Sequence, residues 1–86
     1  MADIKIGIIT HYFGHIGVGA ILLTDGNLAR GDTIRVKGHT TDLTQAVESL
    51  QLEHAEVMKA VRGQNVGIKM KDHVRVHDEV FKVVPD

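Results

Sequence analysis

The sequence predicts a small all-β protein built as an antiparallel barrel. Two segments, residues 17–36 and residues 63–84, each combine strand-like runs with glycine-containing turns. Aromatic residues make up only 3% of the chain, so the core must consist of Ile, Val and Leu, which suit strands. A chain of 86 residues has room for one core, so we expect residues 1–86 to form a single domain. Small barrels mainly bind other molecules, and the fold class therefore predicts a binding function.

The composition of the chain and the positions of its turn residues predict five strands. Residues 4–13 are rich in β-branched side chains and end at a turn formed by Gly14 and His15. The next run is nearly continuous in apolar residues, as in a buried strand, and ends at a turn at residues 25–27. The third strand alternates apolar and polar residues. The predicted strands are residues 4–13, 16–24, 32–37, 64–71 and 78–84.

Residues 43–53 are ambiguous between helix and strand. Leu43, Val47 and Leu50 fit a helical period, whereas the β context favours a strand. Residues 56–61 fit one short helical turn that ends at Gly63.

The predicted core contains apolar residues on one face of each strand, selected by alternation and β-branching. Its members are Ile6, Ile8, Val18, Ile21, Ile34, Val36, Val47, Val66, Ile68, Val80 and Val83.

Several function classes find no support in the sequence. The chain has no cysteine, which removes disulfides and thiolate chemistry. It has no phosphate-binding loop, so we expect neither GTP binding nor GTP hydrolysis, and no other cofactor. Ser49 is the only serine and lacks a nucleophile motif, and the carboxylates form no recognisable pair, so we expect no enzymatic activity. We expect a cytoplasmic protein without membrane contact, because no signal-peptide pattern or long apolar run is present.

Histidine spacing does not predict a metal site. Two pairs, His11 with His15 and His73 with His77, are four residues apart. Residues four apart in a strand are separated by about 13 Å, which is too far for one zinc ion. We therefore expect no bound metal.

Basic residues alternate with apolar residues in two segments. Arg35 and Lys37 lie on the opposite parity from Ile34 and Val36, and a similar alternation follows residue 69. If the two segments are neighbours, their cations form a local patch that can bind phosphate on a protein of net charge −1. An ordinary solvated exterior is the alternative interpretation. The candidate RNA-contact residues are Arg35, Lys37, Lys69, Lys71 and Arg75.

Three parts of the chain share a resemblance to one known family: residues 17–36, residues 47–51, and residues 63–67 followed by residues 78–80. Together they resemble the second domain of translational GTPases such as elongation factor Tu. Residues 37–42 and 45–51 are also similar to small stand-alone archaeal proteins called translation elongation factor-like. A further resemblance is to the barrel appended to collagenase-like peptidase homologues, some of which are linked to RNA modification.

The resemblance implies a closed six-stranded Greek-key barrel in which residues 43–53 form a strand. In elongation factor Tu this barrel helps to hold the aminoacylated end of tRNA. Leu50 and Gln51 stand where that family has Phe and Arg, so the stacking surface and the cation are missing. The positions that match the family pocket are Glu48, Gln51, Asn65 and Gly67.

Three hypotheses for the function follow. The first is a non-enzymatic module of the translation-factor type that binds tRNA, ribosomal RNA or a translation-related protein. The second is a protein-interaction or assembly module without RNA binding. The third is a separately encoded accessory domain of an RNA-modifying enzyme.

Overall fold

The computed structural model describes residues 2–85, which form an all-β structure without a helix. No segment of these residues could therefore cross a membrane as a helix. The ten strands are β1 (Ala2–Phe13), β2 (Val18–Leu23), β3 (Leu28–Ala29), β4 (Thr33–Lys37), β5 (Asp42–Ala46), β6 (Gln51–Leu52), β7 (Ala55–Glu56), β8 (Lys59–Ala60), β9 (Asn65–Lys69) and β10 (Glu79–Val84).

One strongly bent sheet contains eight of the strands in the order β5-β4-β10-β1-β2-β9-β6-β7, and β3 pairs with β8 separately. All of these pairs are antiparallel. The five strands predicted from the sequence are confirmed, each within a few residues of its expected bounds.

The prediction of a closed six-stranded barrel is wrong, because β5 and β7 are the two end strands of the sheet and do not pair with each other. After β5 the chain turns away, and Val47 exchanges backbone hydrogen bonds with Asp32 and Gly31 instead of continuing along the sheet. The Gln45 side chain spans the gap. Its amide nitrogen donates to the Lys69 carbonyl at 2.8 Å, and its oxygen accepts from the Lys71 N–H at 2.8 Å.

Residues 43–53 contain no helix, but they are not one strand either. The strand β5 ends at Ala46 and β6 begins at Gln51, with an irregular stretch between them. The helical turn predicted at residues 56–61 is also wrong, because this stretch contains the end of β7 and all of β8. Pairing with more distant segments decides both cases, since Val57 donates to the Leu50 carbonyl and β8 pairs with β3.

Eight of the predicted core residues are buried, and three are only partly buried: Ile8, Val18 and Val83. A β-bulge explains why Ile8 is not in the core. The register of β1 against β10 shifts between Lys5 and Gly7, so Ile6 and Ile9 both point inward and Ile8 does not. Val18 lies on the outer parity of β2, where Ile21 and Leu23 face the core. The core residues missed by the prediction are Ile9, Leu23, Leu28, Leu50, Ala60, Met70 and Val74.

The same four-residue turn comes directly before β4, β9 and β10. In residues 29–32, 61–64 and 75–78, the backbone N–H of the fourth residue donates to the carbonyl of the first. The side-chain oxygen of the fourth residue accepts from the N–H of the first, and this residue is Asp32, Gln64 or Asp78. The third residue has a positive φ in every case. Glycine occupies that position in two of the turns and His77 in the third, with φ of 76°.

His77→Gly should stabilise the protein. A side chain in the left-handed region costs about 1–2 kcal/mol, and the extra flexibility of glycine in the unfolded chain offsets about 0.5–1 kcal/mol of that gain. We expect a small net rise in melting temperature, measured by circular dichroism. The reverse change, Gly31→Ala, is the matched control: no atom lies within 4 Å of the added methyl group, so its expected destabilisation reports the backbone alone. A loss of stability in His77→Gly would contradict this explanation.

Candidate functional site

An apolar groove of about 350 Å³ lies on the outer face of the sheet, across β1, β2, β9 and the β6–β7 turn. This volume is at the small end of the range of ligand pockets, about 300–1,000 Å³. The groove lining consists of Phe13, Ile16, Val18, Ala20, Gln51, Glu53, His54, Asn65, Val66 and Gly67.

Small residues form the floor of the groove. Ala20 on β2 is directly opposite Gly67 on β9, and Gly67 is in turn opposite Gln51 on β6. Ala20 and Gly67 face outward, since side chains alternate between the two faces of a strand and the residues on either side of each are buried. The short side chains leave a depression between the larger residues on each side.

The β1–β2 turn forms one wall. The N–H groups of Ile16 and Gly17 both donate to the Phe13 carbonyl, which folds the turn tightly. Phe13 remains 46% exposed and Ile16 59% exposed, an unfavourable arrangement for two large apolar side chains. The Phe13 ring also lies 4.7 Å from the His11 ring, measured between centroids.

The two-residue turn between β6 and β7 forms the opposite wall. Glu53 and His54 have φ of 52° and 67°, so both adopt the left-handed conformation that hairpin turns usually assign to Asn and Gly. Each such residue costs about 1–2 kcal/mol relative to an ordinary conformation. The sequence thus places an acid and an imidazole on the rim of the groove in spite of backbone strain.

The structure brings together three of the four residues matched to the family pocket. Gln51, Asn65 and Gly67 all line the groove, whereas Glu48 lies in a separate depression with Gln45 and Ser49. The groove also contains four residues that were not predicted from the sequence to belong to a site: Phe13, Ile16, Glu53 and His54. Phe13 and Ile16 could have been suspected to form an exposed apolar surface, since they flank the glycine turn at residues 14–15.

The candidate RNA-contact residues do not form one patch. In the sheet, β4 is separated from β9 by β10, β1 and β2. The segments that contain them approach each other where the Arg75 Nε donates to the Thr40 Oγ1 at 2.9 Å. Lys37 lines a different open depression, with Lys5 and Glu79. Lys71 is exposed, and the Lys69 amine donates to the Ile16 carbonyl at 3.1 Å.

Arg35 is engaged by two carboxylates. Its Nε and one terminal nitrogen each donate to Asp42 at 3.0 Å, and the other terminal nitrogen donates to Asp3 at 3.2 Å. The hydrogen bonds that Arg35 donates, to Asp42 first and then to Asp3, raise the pKa of its guanidinium. The bond from Arg35 lowers the pKa of the Asp42 carboxyl. Arg35 is therefore held within the protein surface and is poorly placed to receive a phosphate.

The Arg35–Asp42 pair predicts a pH dependence of stability. Because the pKa of Asp42 is lower in the folded protein, its contribution is present above about pH 4 and disappears as the pH falls through the lowered value. The difference in melting temperature between wild type and Asp42→Asn should therefore be constant near neutral pH and should shrink below about pH 4. Glu48→Gln serves as a control for loss of an exposed negative charge. A gap that does not change with pH would contradict the assignment.

Within residues 2–85, no three His, Asp or Glu side chains are close enough to share a metal ion. Two of the histidines instead contact aromatic rings. His73 lies edge-on to Tyr12 at 4.6 Å between centroids, and His11 packs on Phe13.

Comparison with known proteins identifies relatives by sequence, although no family model matches the chain. A collagenase from Porphyromonas gingivalis is 36% identical over 72 residues, which is 83% of this chain and 20% of the relative. An uncharacterized protease from Methanocaldococcus jannaschii is 35% identical over 79 residues, which is 91% of this chain and 19% of the relative. The chain thus spans about a fifth of the length of the curated relatives it matches.

Comparison of structures gives a likeness over almost the whole chain. The C-terminal domain of a Geobacillus thermoleovorans protein assigned to the U32 peptidases superposes with a TM-score of 0.86 at 20% identity, covering 95% of this chain and 93% of that domain. The two chains share one fold. The selenomethionine variant of that domain gives a TM-score of 0.84 at 21% identity, with 91% and 98% coverage.

These relatives decide between the resemblances noted in the sequence. They support the likeness to the domain appended to collagenase-like peptidase homologues. They give no support to the likeness with elongation factor Tu or with stand-alone archaeal factors. The fold resembles the C-terminal domain of the Geobacillus thermoleovorans protein rather than a translation-factor barrel.

Proposed function

We propose that this chain is a non-catalytic accessory domain that works with a catalytic domain of the U32 peptidase type, in the same polypeptide or in a separate one. The observation that carries the proposal is the superposition on a domain that is itself only the C-terminal part of such a protein. The sequence relatives support it, since the matched region is a fifth of each collagenase or protease. Of the three hypotheses from the sequence, the third is nearest to this proposal, which keeps the accessory role but replaces the RNA-modifying enzyme by a catalytic domain of the U32 peptidase type and does not require separate encoding.

The polar side chains of the domain support a structural and binding role. The Ser49 hydroxyl accepts a hydrogen bond from the Lys69 N–H at 3.3 Å. The carboxylates of Asp32 and Asp78 hold turns together by accepting backbone N–H groups. These hydrogen bonds give the three side chains structural roles, which supports the proposal of a non-catalytic domain.

The test is affinity purification of the tagged chain from its native cells, with proteins identified by mass spectrometry before and after RNase treatment. We expect a catalytic region of the U32 peptidase type, either on the tagged polypeptide or co-purifying with it, and we expect it to resist RNase. Recovery of translation factors or ribosomal proteins alone would contradict the proposal, as would an association that RNase abolishes.

RNA binding is a second candidate, and one observation favours it. Lys71 and Arg75 are exposed, and within residues 2–85 neither forms an ion pair with a carboxylate. Through Thr40, Arg75 also adjoins the segment that follows Lys37. Two or three such cations could contact phosphates of tRNA or ribosomal RNA as part of the work of an RNA-modifying enzyme.

A triple substitution tests the RNA candidate. Lys37→Gln, Lys71→Gln and Arg75→Gln together should weaken RNA binding and reduce its salt dependence, by a slope of about 0.7 for each lost contact to single-stranded RNA. The measurement is fluorescence anisotropy with labelled tRNA over a series of salt concentrations. Arg35→Gln is the control, because Arg35 is already engaged by Asp42 and Asp3 and should contribute little. Unchanged binding in the triple variant would exclude this surface.

A further inference from the structure

The groove on the outer face combines exposed apolar walls, a floor without bulky side chains and a strained rim. Of the large apolar residues that remain exposed in residues 2–85, Phe13 and Ile16 both lie in this groove. A strained conformation that is kept at Glu53 and His54 is typical of positions that are selected for their side chains. These observations come from separate elements of the fold, and they converge on one surface.

Charge around the groove selects the kind of partner. Glu53 lies on the rim, and Glu56 follows on β7 directly opposite Gln51. Within residues 2–85, no lysine or arginine lines the groove. The cation at its other end is Lys69, opposite Val18, and its amine is bonded to the Ile16 carbonyl. The acidic side of this apolar surface, formed by Glu53 and Glu56, favours an apolar side chain next to a positive charge over a phosphate.

We propose that this groove docks a protein segment of the catalytic partner, with one or two apolar side chains seated over Ala20 and Gly67 and a lysine or arginine directed at Glu53. The inference rests on the accessory function proposed above. A buried apolar anchor surrounded by polar contacts is the usual form of the energetically important centre of an interface. Phe13 and Ile16 become covered in the complex, and their exposure in the free domain is thereby explained.

Substitutions in the purification experiment test the groove. Ala20→Glu places a bulky acid on the floor, and Ile16→Ser removes one wall at a position so exposed that folding should not depend on it. We expect each change to reduce recovery of the catalytic chain, with Ala20→Glu causing at least a tenfold loss, about the effect of removing one anchor residue. Ile4→Glu is the matched control, since Ile4 is also about half exposed but lies on β1 outside the groove. Melting temperatures verify that all three variants fold.

Photo-crosslinking identifies the occupant. The photoreactive residue p-benzoylphenylalanine replaces Ile16 in one sample and Ile4 in the other. We expect a cross-link from position 16, and not from position 4, to a catalytic region of the U32 peptidase type. A cross-link from position 16 to RNA or to a second copy of this chain would overturn the inference.

The two proposals fail in different ways. If the catalytic chain still co-purifies but Ala20→Glu has no effect and position 16 gives no cross-link, the docking inference is wrong and the accessory function stands. If no catalytic region of this type is associated with the chain at all, the accessory function is wrong and the docking inference fails with it.

Discussion

Ile34→Ala should destabilise the protein by about 2–5 kcal/mol, the usual loss when a fully buried aliphatic side chain is truncated. Ile34 is the second residue of β4, between Lys82 on β10 and Gln45 on β5, and its side chain has no solvent exposure. Small domains are stable by only about 5–15 kcal/mol, so this loss is a large part of the total. The expected fall in melting temperature is about 4–8 °C for each kcal/mol.

The matched control for this prediction is Ile16→Ala. It removes the same atoms from a side chain that is 59% exposed, so it should change the melting temperature little. Urea titrations of both variants provide the free energies of unfolding. Equal stability in the two variants would mean that β4 does not contribute to the core as described.

Gly7→Ala should also be strongly destabilising, although it adds only one methyl group. Gly7 is buried between Val80 on β10 and Leu23 on β2, and the new carbon would clash with the backbone carbonyl oxygen of Leu22. A backbone oxygen within a strand pair cannot move away as the end of a side chain can. Overpacking of this kind typically costs about 1–3 kcal/mol, and more where the backbone must shift.

Gly14→Ala is the control for Gly7→Ala. Its added methyl group would meet only a ring carbon of Tyr12, at an ordinary contact distance of 3.8 Å in an exposed turn. We expect its stability to be unchanged or slightly higher, because alanine restricts the unfolded chain. If thermal unfolding showed the two variants to be alike, the close approach of β1 and β2 at Gly7 would be refuted.

Local sequence patterns were sufficient to predict the long strands but not the way in which the sheet is assembled. Alternation places Ile34 and Val36 correctly because β4 is regular. The same rule fails at Ile8, because the bulge between Lys5 and Gly7 shifts the parity of β1 and alternation alone does not reveal an extra residue. The open edge at β5 depends on contacts between distant residues such as Val47 and Asp32, and these contacts have no local signature in the sequence.

The candidate site was predictable only in part, for a similar reason. The resemblance grouped Gln51, Asn65 and Gly67 with Glu48, and the structure places the first three in one groove and Glu48 outside it. Parity alone could not place Phe13 and Ile16 opposite the turn at residues 53–54, since this juxtaposition requires the strand order across β1, β2, β9 and β6. For Arg35, the alternating pattern predicted an exposed side chain. It could not predict that the carboxylates of Asp42 and Asp3 would bind the guanidinium.

The Gln45 side chain gives the molecule a seam. An amide group, with two hydrogen bonds, joins β5 to the Lys69 carbonyl and the Lys71 N–H where a closed structure would have a continuous backbone ladder. The Lys69 N–H also donates to Ser49, and Arg75 donates to Thr40, so side chains rather than a strand pair join the two edges here. We therefore expect backbone amides along this line to exchange with solvent through a local opening rather than through global unfolding, as hydrogen exchange would show.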